Sequence, residues 1–371
     1  MSHEAERDSR MALACVTEPG RHRLAEEVQR RGAEAVWRQI QERTSATGLR
    51  LHPADVDLRA VQQQTQRAGA RFVIPGDREW FTGLDDLAML DQVGDTWSAP
   101  PLGLWIVGPA DLSQASSRAV AVVGSRACTS YGETVATELA ADLAERDVTV
   151  VSGAAYGIDA AAHRGALAVN GTTVAVLACG IDRDYPQGNA GLLRHIRATG
   201  AVITEHPPGT IVNRSRFLAR NRLIAALAQG TVMVESATRS GARNTVTWTD
   251  SLSRRVFAVP GPVTSTMSAG PHSLIRDFNA ILVRNGSDIC ADLGLVPEPA
   301  YQPEPATPFD LLTAEQQMVR ELLPARGQVS TDELVIRSGL GVQQCLVALQ
   351  GLVDQDMVTA ASEGMWRLRP H

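Results

Sequence analysis

The sequence predicts an α/β fold built on a doubly wound, mostly parallel sheet, with a helical segment before it and a small helical domain after it. Three observations carry this expectation. From residue 119 onward, short and almost wholly apolar β-branched runs alternate with helical patterns, as strands covered on both faces require. Several of these runs close in glycine turns, where ligands of such sheets sit. The 371 residues, 44% hydrophobic and 20% charged, can bury two or three cores rather than one.

Taken in order, residues 1–98 form an N-terminal helical domain with little strand signal. LAEEVQRRGAEAVWRQI places apolar residues at 24, 28, 35, 36 and 40 against a charged face. SAPPLG, around 99–103, marks a boundary. The core spans 99–293. VAVVG (120–124), VTVVSG (148–153), TTVAVLACG (172–180), AVITE (201–205), TVMVE (231–235) and VFAVPG (256–261) read as its strands, and ILV (281–283) adds a further one. Helices are expected across GETVATELAADLAER and from about Ile158. GLVPEPAYQPEPATP holds five prolines in fifteen residues, an extended linker over 294–308. In 309–371, helical patterns at TAEQQMVRELL, TDELVIRSG and VQQCLVALQGLVDQ precede VTAASEGMWRLR, which reads as two strands and a turn. Three helices and a β-wing suggest a winged helix-turn-helix.

Composition narrows the function classes. No apolar run approaches the ~20 residues of a membrane span, and MSHEAERDSR lacks the apolar stretch of a signal peptide. The five cysteines are scattered with no CxxC, so neither a disulfide framework nor a cysteine zinc site is expected and the chain reads as cytoplasmic. The remaining histidines are not spaced as metal ligands. All 35 basic residues are arginine, so phosphate contacts must come from arginine, backbone N–H or hydroxyl groups. The net charge of -6 hides an asymmetry. Residues 194–255 hold ten arginines against three acids, a local +7, while 305–371 hold five arginines against eight acids, a local -3. The middle suits a polyanion and the tail does not.

Two strand ends converge on anion chemistry. Gly124-Ser125-Arg126 closes one strand, and SGAAYGID (152–159) closes the next and opens a helix. Gly153 and Gly157 allow backbone N–H groups to approach an anion at a helix N-terminus, or they simply make tight turns. The pattern is neither G-x-G-x-x-G nor a P-loop, so no cofactor is implied. Asp159 and His163, four apart on one helix face, are either an acid–base pair or a helix-start acid with a structural histidine. Glu205 is either an acid or a structural acceptor, and Tyr185-Pro186 is read as a loop anchor. RSRFLARNRL (214–223) crowds four arginines around Phe217. With a helix expected from about Ala219, Arg220, Asn221 and Arg222 occupy a first turn where cations are unfavourable unless an anion meets them. A phenyl ring among guanidiniums suits single-stranded nucleic acid, arginines tracking phosphates and the ring stacking on a base. The alternative is a solvated basic face with Phe217 in the core.

Together, VAVVGSR, SGAAYGIDAAAHRGAL, GTTVAVLACGIDRDYPQGNAGL, ITEHPPG, FLARNRLIAAL, VMVESATRSGA and VFAVPG resemble, in order across about 119–290, the DNA-processing protein A family (DprA, also called Smf). The resemblance implies a Rossmann-like core that binds single-stranded DNA, commonly as a homodimer, and helps load the recombinase RecA during natural transformation, without a cofactor or a reaction. By matching position, it implies a DNA pocket with Gly124, Ser125 and Arg126 on one side, Gly153 and Gly157 near them, and Phe217, Arg220, Asn221 and Arg222 opposite. Arg214 matches a position that is basic in some members. The family's SGSLITA is SGARNTV here, which adds Arg243 to the phosphate-binding candidates, and its LIxxGA is LIRDFNA. EPG (18–20) stands where a Gly-x-Gly hairpin is common, so duplex binding through that segment is not expected. The competing expectation is a nucleotide-binding or nucleotide-hydrolysing enzyme using Glu205, Asp159 and His163.

Overall fold

In the computed structural model, residues 2–42, 49–90, 97–238, 240–295, 309, 311–361 and 364–369 are described. The chain divides into two units, Met1–Pro297 and Glu298–His371. The first is organised by nine strands: β1 (Arg71–Val73), β2 (Leu104–Val107), β3 (Ala119–Val123), β4 (Thr149–Ser152), β5 (Thr173–Val176), β6 (Ala201–Thr204), β7 (Gly230–Met233), β8 (Arg255–Ala258) and β9 (Ile281–Leu282). They form one sheet in the order β1-β2-β6-β5-β4-β3-β7-β8-β9. All neighbours from β6 to β9 run parallel, and β2 and β1 continue the sheet antiparallel beyond β6. The chain winds outward from β3 to β6, then crosses back to start again at β7. The strand order therefore reverses between β3 and β7, the point where doubly wound sheets open a crevice at their carboxyl ends.

Period-two alternation sends successive side chains to opposite faces. In β3, Ala119, Ala121 and Val123 enter a core shared with Leu223, Ile224 and Ala226 of the helix Arg214–Ala226. Val120 and Val122 face the helices Ser130–Glu145 and Ile158–Ala168, against Leu139, Leu143 and Ile158. Seven of the nine strands fall on the apolar runs expected from the sequence. The other two do not. RFV at β1 lies within the segment expected to be helical, and LWIV at β2 follows the SAPPLG boundary directly. β1 is a three-residue edge strand, and β2, although apolar, precedes the strand–helix alternation that marks the parallel strands. Phe72 and Trp105 of these strands bury against Met11 and Ala14 of the first helix, His3–Val16, which ties the N-terminal segment to the sheet. Leu13, Val28, Val36 and Ile40 form a smaller helical core.

The second unit holds helices Ala314–Leu322, Thr331–Ser338 and Val342–Asp354 and three strands, β10 (Val329–Ser330), β11 (Val358–Ala360) and β12 (Met365–Leu368), in the antiparallel order β10-β12-β11. Val319, Leu334, Leu349 and Leu352 make its own core. The sequence suggests two strands here; the third, β10, is two residues long and pairs with Met365 and Trp366. The proline-rich linker of 294–308 lies, apart from its first two residues, outside the described residues. Among the described residues no helix is long and apolar enough to cross a membrane.

Candidate functional site

An open groove of about 1160 Å³ lies at the carboxyl ends of the strands, at the β3/β7 reversal. It exceeds the ~300–1,000 Å³ of an ordinary small-molecule cleft. Four segments build it. The turn after β3 supplies Gly124, Ser125 and Arg126, and the turn after β4 supplies Ala155 and Asp159. The helix Arg214–Ala226 adds Arg214, Phe217, Arg220 and Asn221, and the segment after β7 adds Ser240, Arg243 and Asn244. The lining carries four arginines and one acid.

The arginines differ sharply. Arg126 and Arg214 are exposed and make no hydrogen bond or ion pair among the described residues, although Arg126 sits over the Phe217 ring at 4.9 Å. Arg243 donates to Ser273 Oγ at 3.0 Å. Arg220 is buried and donates to the carbonyls of Gly153, at 2.8 Å, and Val176. Burial pushes its guanidinium down to about 10, against the opposing pull of Asp159 and with the help of Arg126. Its Nε finds no hydrogen-bond partner among the described residues. Arg220 is thus a cationic floor, not a mobile arm. Asn221 donates to Gly241 O at 3.3 Å and Asn244 Oδ1 at 3.2 Å, linking the helix to the β7 segment.

The helix begins five residues earlier than the sequence suggests. Asn213 caps it, its side chain accepting from the Arg216 N–H at 2.8 Å. Phe217 is therefore on the helix and not in a loop, and Arg220, Asn221 and Arg222 lie past its first turn. The first turn instead holds Arg214 and Arg216. Arg216 is buried against Glu18, at 2.6 Å, and also donates to Ile211 O.

Arg222 does not reach the groove. It is fully buried and forms a two-pronged ion pair with Glu205, at 2.8 and 2.6 Å, while donating to Ala99 O. Its sign was legible and its direction was not: on a helix, Arg220 and Arg222 point about 200° apart. Gly153 and Gly157 also do not line the groove; they let its walls close. A Cβ on Gly153 would fall 2.5 Å from the Arg220 guanidinium. Gly157 has φ +73 and would meet Ser125 O at 2.3 Å. That contact lets the Ile158 N–H donate to Ser125 O at 3.1 Å. The local charge excess is also partly offset by acids from outside the segment. Of the ten arginines in 194–255, Arg197, Arg216, Arg222 and Arg254 pair with Asp184, Glu18, Glu205 and Asp86. Arg239 lies outside the described residues.

The acid–base candidates are committed elsewhere. Asp159 accepts from the N–H groups of Gly153, at 3.1 Å, and Ala155, at 3.4 Å. Burial pushes its carboxyl up, opposed by Arg220. His163 Nδ1 bonds Thr173 Oγ1 at 2.7 Å, and burial holds its ring down at about 3. No group of histidines, cysteines and acids among the described residues could hold a metal. Sequence reasoning left Asn213, Thr238, Ser240, Asn244 and Thr245 out of the site. For all but Asn213 the signal was position: SATRSGARNT follows a strand flanking the reversal point, and it is rich in hydroxyls and amides.

Residues 72–294 match the family described as DNA recombination-mediator protein A. A DNA processing protein DprA of Mycobacterium tuberculosis (strain ATCC 25618 / H37Rv) is 47% identical over 308 residues, covering 81% of this chain and 78% of that protein. Protein Smf of Escherichia coli (strain K12) is 35% identical over 309 residues, 80% of this chain and 77% of its own length. The X-ray structure of DNA processing protein A from Streptococcus pneumoniae superposes with a TM-score of 0.65 at 28% identity, covering 79% of this chain and 99% of that one. The DNA processing protein A of Helicobacter pylori, described for its single-stranded DNA binding mode, shares the fold at a TM-score of 0.52 and 24% identity, over 61% of this chain and 97% of that one. With its Rossmann-like sheet, its groove at the strand reversal and these matches, the chain belongs to the DNA recombination-mediator protein A family.

Proposed function

We propose that this groove binds single-stranded DNA, and that the protein, acting as a homodimer and without catalysing a reaction, hands the strand to a RecA-type recombinase in homologous recombination and natural transformation. The observation that carries the reading is the pair of exposed guanidiniums, Arg126 and Arg214, which make no hydrogen bond or ion pair among the described residues, above a floor of buried Arg220 and side-chain amides at the carboxyl ends of the sheet. Arginines on a groove wall with no acid to neutralise them suit phosphate. The relative from Helicobacter pylori, described for binding single-stranded DNA, supports the same ligand. A non-enzymatic role is supported by the state of the would-be catalysts. Asp159, His163 and Glu205 are buried and occupied by backbone amides, Thr173 and Arg222.

Arg126→Ala and Arg214→Ala test the site. Each is expected to weaken oligo-dT binding regardless of sequence and to lower the salt-dependence slope by ~0.7, read by fluorescence anisotropy across a salt titration. Parent-like affinity and slope in both variants would refute the groove as the binding site. Handover is read separately, as RecA ATP hydrolysis on single strands with and without the protein.

A further inference from the structure

Beyond the groove's rim, Phe217 continues into a second aromatic ring. Tyr185, in the loop after β5, lies 5.6 Å from Phe217 between ring centroids, tilted by 49°. It does not line the groove. The residue is 40% exposed, and its hydroxyl makes no hydrogen bond among the described residues. The loop that carries it is nevertheless fixed on both sides. Asp184, one residue before, pairs with Arg197 at 2.5 Å. Asn189, four residues after, is buried and donates to Ala154 O at 3.0 Å and Ala155 O at 3.2 Å. Between them the Gly188 N–H donates to the Tyr156 hydroxyl at 3.3 Å. The anchors of this loop are therefore Asp184, Gly188 and Asn189, not the tyrosine. Phe217 itself is half-buried and carries the Arg126 guanidinium over its ring, so the groove's own aromatic is already engaged.

From this arrangement we infer that Tyr185 is a base-stacking step outside the groove, receiving the base next to the nucleotides whose phosphates meet Arg126 and Arg214. The inference rests on the groove being a single-stranded DNA site, and it adds a residue and a direction to it: the strand leaves the groove past Phe217 toward the β5 loop. An exposed ring gains little from burial, while a ring held in place before binding loses little freedom on stacking. Every base offers a π-face, so such a step extends the bound length without reading sequence.

Three variants test it: Tyr185→Leu, which keeps apolar bulk but removes the π-face, Tyr185→Phe, which keeps the ring, and Arg126→Ala as the groove control. Binding of an oligo-dT series of increasing length is followed by anisotropy. Tyr185→Leu is expected to bind the shortest oligonucleotides like the parent and the longer ones roughly 5- to 150-fold more weakly, the range of one lost base–aromatic stack. Tyr185→Phe is expected to match the parent at every length. Oligonucleotides carrying 5-iododeoxyuridine are expected to photocrosslink to the peptide containing Tyr185. If Tyr185→Leu binds all lengths like the parent while Arg126→Ala is weakened, the groove stands and the stacking step is overturned. Equal weakening by Phe and Leu assigns the effect to the hydroxyl and also overturns it. If Arg126→Ala too behaves like the parent, the groove reading itself has failed.

Discussion

Four arginines in one ten-residue stretch serve four different ends. Arg214 faces water, Arg216 pairs with Glu18, Arg220 satisfies backbone carbonyls and Arg222 neutralises Glu205. Removing Arg222 strands a buried carboxylate, so Arg222→Ala is expected to cost ~3–5 kcal/mol of stability in urea unfolding while the folded fraction keeps its affinity for oligo-dT. A DNA contact at Arg222 gives the reverse pattern. The histidines set a second expectation. His163 is held down at about 3 by burial, below the ~6.5 of an unfolded chain, and burial lowers His206 as well. Between those values the unfolded state binds the proton and the folded state does not. Stability is therefore complete above ~6.5 and falls as the pH drops, by up to about 1.4 kcal/mol per pH unit for each histidine. Asp159, raised by burial, works in the opposite sense. His163→Gln is expected to flatten the fall in the urea midpoint between pH 7 and 5. The residue types at the site were legible because a cation beside glycine turns needs a reason. Their directions were not, because a side chain's partner depends on which elements pack beside it.

The helix Arg214–Ala226 is the element on which the groove turns. Its inner face enters the core through Leu223 and Ile224, and its outer face supplies Arg214, Phe217 and Asn221. Its start was misplaced in the sequence because arginines and a phenylalanine after Pro-Pro-Gly read as a loop, whereas a single Asn cap suffices to begin the helix at Arg214. The parallel strands were legible for a physical reason: coverage on both faces forces continuous apolar runs. β1 escaped because a three-residue edge strand carries too few side chains to show a period, and β2 because LWIV stands directly after the SAPPLG boundary, outside the strand–helix alternation that begins at 119. Helix and sheet meet where Arg220 reaches over Gly153. Gly153→Ala places a methyl against that guanidinium and is expected to cost ~1–3 kcal/mol by overpacking. It should also weaken oligo-dT binding by disturbing the groove floor. Unchanged unfolding and binding curves would show that the floor relaxes freely.

For the whole molecule, the two units have separate cores, and the arginine-rich segment 194–255 lies wholly in the first. Residues 305–371 carry a local -3, five arginines against eight acids, which disfavours them as the main phosphate-binding surface. A chain ending at residue 297 is therefore expected to bind oligo-dT with the affinity and salt slope of the full protein, measured by anisotropy. A reduced slope would place phosphate contacts in the second unit. The groove itself has a consequence for synthesis. Arg126, Phe217 and Arg243 come together only because the sheet doubles back at β3/β7. On the proposed reading, a nascent chain on the ribosome has no complete groove until its last wall, Thr238 and Ser240–Thr245, has emerged and docked, so half-made copies do not compete with finished ones for single strands.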